Sequence, residues 1–186
     1  MSLKIIHTAD WHLGQTFFGY DRDEEHEAFL SWLIDILTLR QTDVLLIAGD
    51  VFDVANPSAA AQRRFFRFLR EANRHNPQLQ IVIIAGNHDS AARLEAPIPL
   101  LEELNTSIVG VVPRTDLCKI DFDSLLIPLY NKEGKREAIC LAVPYLRQGD
   151  YPASKEGKDT YVEGVTRMYR QLYDYADSQR HVPYKK

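Results

Sequence analysis

Three apolar-rich segments, at residues 3–8, 43–48 and 80–85, punctuate the first half of the chain, the last two holding unbroken apolar runs at 44–48 and 81–85. Each is strand-length, and a strand covered on both faces carries this kind of continuous run. Between them the apolar residues recur every three or four positions, the period of a helix with one inward face. Asp21, with Glu24 three residues later, is a capping-box-like pair that predicts the start of the first helix, whose stripe is Phe29, Leu33, Ile36 and Leu37. Asn56 followed by Pro57 predicts an N-cap and first turn for the second, with Ala61, Phe65, Phe68, Leu69 and Ala72 facing inward. Apolar strands joined by helices predict an α/β fold built on a parallel sheet covered on both faces. After Asn105 the segments shorten: 107–112, 117–121, 124–128 and 138–143 read as strands with hairpin-like connections. A loop is expected at 152–158. A last helix is expected from about 160 to 180, with Tyr161, Val165, Tyr169, Leu172 and Ala176 on one face.

Length and composition narrow the class. At 186 residues, 45% hydrophobic and 26% charged, residues 1–186 are expected to form a single domain of ordinary soluble composition. No run approaches the ~20 apolar residues of a membrane span. The first residues lack the apolar core of a signal peptide, so a cytoplasmic protein is expected. Cys118 and Cys140 form no CxxC pair and are expected to be buried, reduced thiols. The net charge of −4 gives no global electrostatic case for nucleic acid. Carboxylates that hold cations contribute to that negative count, and bound metal would cancel it.

The chemistry sits at the ends of the three apolar runs. The first ends in Asp10-Trp11-His12, the second in Gly49-Asp50-Val51-Phe52-Asp53, the third in Gly86-Asn87-His88-Asp89. In a parallel sheet the carboxyl ends of neighbouring strands share one edge, so these loops are expected to converge. Oxygen and imidazole donors without thiolates suit manganese, iron(II), magnesium or zinc, and argue against iron–sulfur or structural zinc sites. One Asp-x-His is weak, because Asp and Asn are routine turn formers after a strand. Three such clusters, each at a strand end and in this order, point to a metal site.

Asp-x-His, Gly-Asp-x-x-Asp and Gly-Asn-His-Asp resemble the first three signatures of the calcineurin-like metallophosphoesterases. HTADWHLGQ, AGDVFDVANPS and IAGNHDS are similar to the SbcD-type nucleases of that family over residues 4 to about 105, and VPYLR extends a looser likeness to about 150. The resemblance implies a β-sandwich flanked by helices. It also implies two divalent cations, manganese foremost with magnesium, iron(II) or zinc as alternatives. Asp10 and His12 would hold one, Asp50 would bridge both, and Asn87 would reach the second through its amide oxygen. His88 would act on the phosphate rather than ligate. Asp53 would support a ligand or face the substrate, and Asp89 would orient His88. The implied activity is phosphodiester hydrolysis on DNA, exonucleolytic with endonuclease capability. It would serve repair, recombination or replication, in a homodimer working with an SMC-type ATPase of the SbcC kind. Another calcineurin-like phosphatase, or a non-catalytic scaffold or dimerisation module, stays open as an alternative.

The family pattern continues with a further histidine and a Gly-His-x-His segment, whereas His181 is the one histidine here after His88. His181 lacks the strand-then-glycine context and is not assigned. The chain is therefore expected to be the N-terminal portion of the family domain. His7 is expected to be a satisfied core histidine, while His26 and His75 should lie on solvated helix faces. Arg63, Arg64, Arg67, Arg70 and Arg74 read as a solvated face of the second helix rather than a DNA contact. Phe66, with Leu94, Ile98, Leu100 and Leu101, is expected to leave an apolar patch open to a second copy of the chain.

Overall fold

The apolar runs do become strands, and the computed structural model describes residues 2–101, 104–153 and 160–179. Strands β1 (Ile5–Thr8), β4 (Val44–Ala48), β5 (Gln80–Ile84) and β6 (Thr106–Val109) form one parallel sheet in the order β1-β4-β5-β6. Their register is continuous, with Ile6 beside Leu45, Leu45 beside Ile81, and Ile81 beside Thr106. Two small antiparallel hairpins stand apart: β2 (Thr16–Phe17) with β3 (Tyr20–Asp21), and β7 (Leu126–Tyr130) with β8 (Arg136–Leu141).

Side chains alternate across the central strands, so each strand feeds two layers. Leu45, Ile47, Ile81 and Ile83 pack toward α1 (Asp23–Leu39) and α2 (Ala59–His75), where Leu33, Leu37, Phe65 and Leu69 meet them. Val44 and Val82 pack the other way, against Leu126 and Leu129 of β7 and against Met168 and Leu172 of α5 (Tyr161–Gln179). The expected α/β sheet with cover on both faces is present. The short helices α3 (Ala91–Glu95) and α4 (Ile98–Leu101) lead from β5 toward β6.

Several local expectations need correction. β1 is the edge of the sheet, not a fully buried strand: Ile5 is 44% exposed and His7 is exposed rather than satisfied in a core. The first helix begins at Asp23, because residues 20–21 are spent in the hairpin; Asp21 accepts from the Asp23 N–H with Oδ1. The second helix is capped by Ser58, whose hydroxyl accepts from the Ala61 N–H at 3.1 Å, two residues later than the Asn-Pro signal. Residues 117–121 form a turn with one isolated bridge, Arg114 to Ile120, and no strand. In α5 Leu172 is buried and Val165 and Ala176 pack against the core as expected, whereas Tyr161 and Tyr169 are exposed and Gly164 and Met168 take the buried places. The backbone of residues 154–158 in the expected loop, Arg180 and His181 fall outside the described residues.

Burial also differs at charged and sulfur positions. His26 is buried, and so is Arg64, which pairs with Asp23 at 2.8 Å and Glu27 at 3.0 Å across the α1–α2 seam. A helix face that reads as solvated thus contains one inward cation whose partners come from the neighbouring helix. His75 is exposed as expected. Cys118 is exposed rather than buried, and Cys140 is half-buried; both are free. Of the expected patch, Leu94 and Leu101 are buried and Phe66 and Ile98 are partly buried against the helix-side core, while the Leu100 side chain lies outside the described residues. No helix among the described residues is long and apolar enough to cross a membrane.

Candidate metal centre

The Asp-Trp-His loop works by opposition. Trp11 is 5% exposed and its indole meets Phe29, Phe65 and Phe68 edge-on, at centroid distances of 5.6, 6.1 and 5.1 Å. Its Nε1–H donates to Thr8 Oγ1 at 3.0 Å. With Trp11 sunk in the helix-side core, Asp10 and His12 on either side are turned to the carboxyl edge of the sheet. Asp10, His12 and Asp50 have φ of 56, 47 and 49°. Positive φ is uncommon for residues other than glycine, although Asp and His tolerate it better than most, and such outliers gather at functional sites.

Backbone bonds knit the first two loops together: Asp10 N to Gly49 O at 3.1 Å, His12 N to Asp50 O at 3.0 Å, and Leu13 N to Val51 O at 2.9 Å. The second and third loops touch through glycine. A methyl group on Gly86 would overlap the Asp50 carboxylate and backbone nitrogen, and one on Gly49 would meet the Gly86 Cα at 2.9 Å. Only glycine allows this approach.

Asp89 completes the join. Its buried carboxylate accepts from Val51 N at 3.2 Å, Phe52 N at 3.0 Å and Gly86 N at 2.9 Å. These bonds span both loops and commit the carboxylate to them. The sequence expectation that Asp89 orients His88 is therefore replaced. The His88 imidazole is set instead by the backbone carbonyl of Asp53, which lies 2.7 Å from Nδ1. A carbonyl can only accept, so Nδ1 carries the proton and Nε2 is left for other use. That carbonyl bond, opposed by desolvation and helped by the Asp50, Asp53 and Asp89 charges, raises the His88 pKa.

Three of the four expected ligands, Asp10, His12 and Asp50, come together. His12 Nε2 lies 4.0 Å from Asp10 Oδ1 and 3.9 Å from Asp50 Oδ2, while its Nδ1 lies 3.4 Å from Asp53 Oδ1. Asp50 Oδ1 accepts from the His88 N–H at 3.0 Å. The His12 and His88 rings sit edge to face at 5.0 Å. Two overlapping groups of donors result, Asp10–His12–Asp50 and His12–Asp53–His88. The His12 Nε2 gaps to the two carboxylates are too long for hydrogen bonds. They suit two donors sharing one cation, since each donor sits about 2.0–2.2 Å from a bound metal such as zinc or magnesium. His12 Nδ1, on the side of the ring that faces Asp53, is buried without a hydrogen-bond partner.

Asn87 is exposed and lines, with Asp10 and Asp50, a cavity of about 320 Å³. The opposite wall comes from Val143–Leu146 and from Tyr161, Val165 and Tyr169 of α5. Tyr145 N donates to Ala85 O at 2.8 Å and the Tyr161 hydroxyl to Leu146 O at 2.9 Å, so that wall is tied to the end of β5. Sequence reasoning misses this lining. The VPYLR likeness is its one signal, and the tyrosines read as an inward helix stripe. It also misses Gln15, whose Nε2 donates to Asp53 Oδ1 at 3.3 Å while its Oε1 accepts from Arg22 at 2.9 Å.

The family described as calcineurin-like phosphoesterase matches residues 3–177. The chain is 48% identical over 171 residues to the D subunit of nuclease SbcCD from Rhodobacter capsulatus, covering 91% of this chain and 42% of that protein. Against the protein of the same name in Escherichia coli K12 it is 33% identical over 180 residues, or 92% and 41%. Against that of Bacillus subtilis it is 39% identical over 122 residues, or 66% and 31%. The chain spans less than half the length of these curated relatives.

Proposed function

Because this chain belongs to the calcineurin-like phosphoesterases, we propose that residues 1–186 form the N-terminal portion of the catalytic domain of a metal-dependent DNA nuclease. The nuclease name of its relatives supports this reading, and so does the convergence of three strand ends on one cation-sized gap. That convergence carries the argument. Exonuclease action with endonuclease capability, a role in DNA repair and recombination, a homodimer and an SbcC-like SMC-type ATPase partner belong to the same proposal.

Asp10, His12, Asp50 and Asn87, the last through its amide oxygen, would hold two divalent cations, with Asp50 serving both. Manganese is the favoured ion. Cations bound there would supply a water of lowered pKa and offset charge on the phosphoryl group. The protein's own contribution is position. Gly49 and Gly86 let the second and third loops close on one another, Asp89 keeps them in register, and Trp11 fixes the angle between Asp10 and His12. His88, held through Nδ1, presents Nε2 to the phosphate, where it donates a hydrogen bond to a phosphoryl oxygen or a proton to the departing oxygen. Asp53 faces the His12 ring and steadies it.

Manganese titration by calorimetry, paired with degradation of linear DNA, tests the assignment. Asp50→Asn should lose both cation binding and DNA cleavage. His88→Ala should keep the cation and lose turnover by roughly 10²–10⁴-fold, the usual range for a general acid. Undiminished turnover in His88→Ala removes its assigned role. Cleavage of a small phosphomonoester with DNA left intact would make the chain a phosphatase instead.

A further inference from the structure

We propose that the tip of the β2–β3 hairpin is a base-stacking element that receives an unpaired stretch of DNA beside the cation site, an inference that rests on the nuclease reading above. Thr16 pairs with Asp21 and Phe17 with Tyr20, around a turn of Phe18 and Gly19. Three of these residues are aromatic and none is buried: Phe17 is 63% exposed, Phe18 88% and Tyr20 80%. The Phe17 and Phe18 rings meet edge to face at 4.6 Å. Aromatic rings are among the side chains with most to gain from burial, yet folding leaves this group in water. Phe18 has a φ of 49°, a left-handed conformation uncommon for a bulky residue, and it holds the most exposed ring of the three at the turn.

Both ends of the hairpin are tied to the metal centre. Gln15, just before β2, donates to Asp53, and Arg22, just after β3, donates to Gln15. Asp53 in turn faces His12 at 3.4 Å. Phe18 is three residues beyond Gln15, a reach of roughly 10 Å at the rise of a strand.

The surrounding charge selects the partner's chemistry. Asp21 lies in the hairpin and Glu24 and Glu25 in the first turn of α1, beside Asp23, which Arg64 pairs. The cation between them, Arg22, is turned to Gln15 and Glu25. A phosphate backbone or an anionic lipid surface is repelled there. The uncharged faces of bases are not, and every base has one. A paired duplex hides those faces, so the tip fits a single strand or a frayed end, with the backbone passing toward the cations.

The test is fluorescence of a single strand carrying 2-aminopurine, titrated with the manganese-loaded chain, alongside a blunt, fully paired hairpin DNA. The Phe17→Ala/Phe18→Ala double variant should bind the single strand on the order of 10-fold more weakly or worse. The factor should be the same at low and high salt, since no phosphate contact is lost. Phe18→Tyr, which keeps a ring, should bind as the parent does. Thermal melting and manganese affinity of the double variant should match the parent, because the replaced rings are in water. Equal single-strand affinity of parent and double variant overturns the tip assignment and leaves the nuclease reading standing. An equal loss for the blunt paired DNA overturns it too, by pointing to a groove contact. Altered sedimentation with unchanged DNA binding would give the rings to a protein contact and overturn it likewise. A parent chain that binds no DNA at low salt removes the nuclease reading and this inference together.

Discussion

At the residue scale the candidate site depends on a few side chains that never face the cations. Asp89 is the clearest. Its buried carboxylate satisfies three backbone N–H groups on two loops, and leaving a buried donor unpaired costs about 1–3 kcal/mol. Asp89→Ala should therefore lower the unfolding free energy by several kcal/mol and weaken manganese binding, although Asp89 is not itself placed as a ligand. Calorimetric melting with and without manganese checks both. Unaltered melting would show that the loops hold their register without it. Asp10, His12, Asp50 and Asn87 are legible as a group because each follows an apolar run. The division of labour between Asp53 and Asp89 is not. Nothing in Gly-Asn-His-Asp says whether the last carboxylate turns toward the preceding ring or back to the main chain. That choice depends on Val51 and Phe52, which are brought close only by the fold.

At the element scale two anchors matter, Trp11 and the α1–α2 seam. Trp11→Ala removes a ring packed against Phe29, Phe65 and Phe68, a loss of about 3–5 kcal/mol. Urea denaturation should show the shift, and Asp10 and His12 should bind manganese less tightly once the residue between them is loose. Across the seam, burial lowers the His26 pKa below its ordinary 6.5, with Arg22 and Arg64 pushing the same way and Asp23 and Glu25 opposing. The unfolded chain then takes up the proton first, so the stability from neutral His26 is present above 6.5 and is lost as pH falls through the depressed value. The urea midpoint should fall on going from about pH 7.5 to about pH 5.5 by more in the parent than in His26→Gln. Equal slopes would place the sensitivity elsewhere. The helix stripe of α2 is plain in the sequence because Ala61, Phe65, Phe68, Leu69 and Ala72 repeat cleanly. Arg64 and His26 escape such a reading because their burial depends on one helix supplying partners to the other, and a stripe on a single helix does not reveal that.

At the scale of the whole molecule, the parallel sheet is asymmetric. β4 and β5 are clothed on both faces, and β6 is joined to the body through β5 and the helices before it. β1, like β6 at the opposite margin, is an outer strand, with Ile5 44% exposed and its far side unpaired among the described residues. A row of free amide and carbonyl groups beside an apolar side chain invites a stranger's backbone to extend the ladder. Concentrated solutions of this chain should accordingly scatter light progressively on standing, and Ile5→Lys, by placing a charge along that margin, should slow the rise. The same strand that delivers Asp10 and His12 to the cations would then limit how long the protein stays clear in a tube.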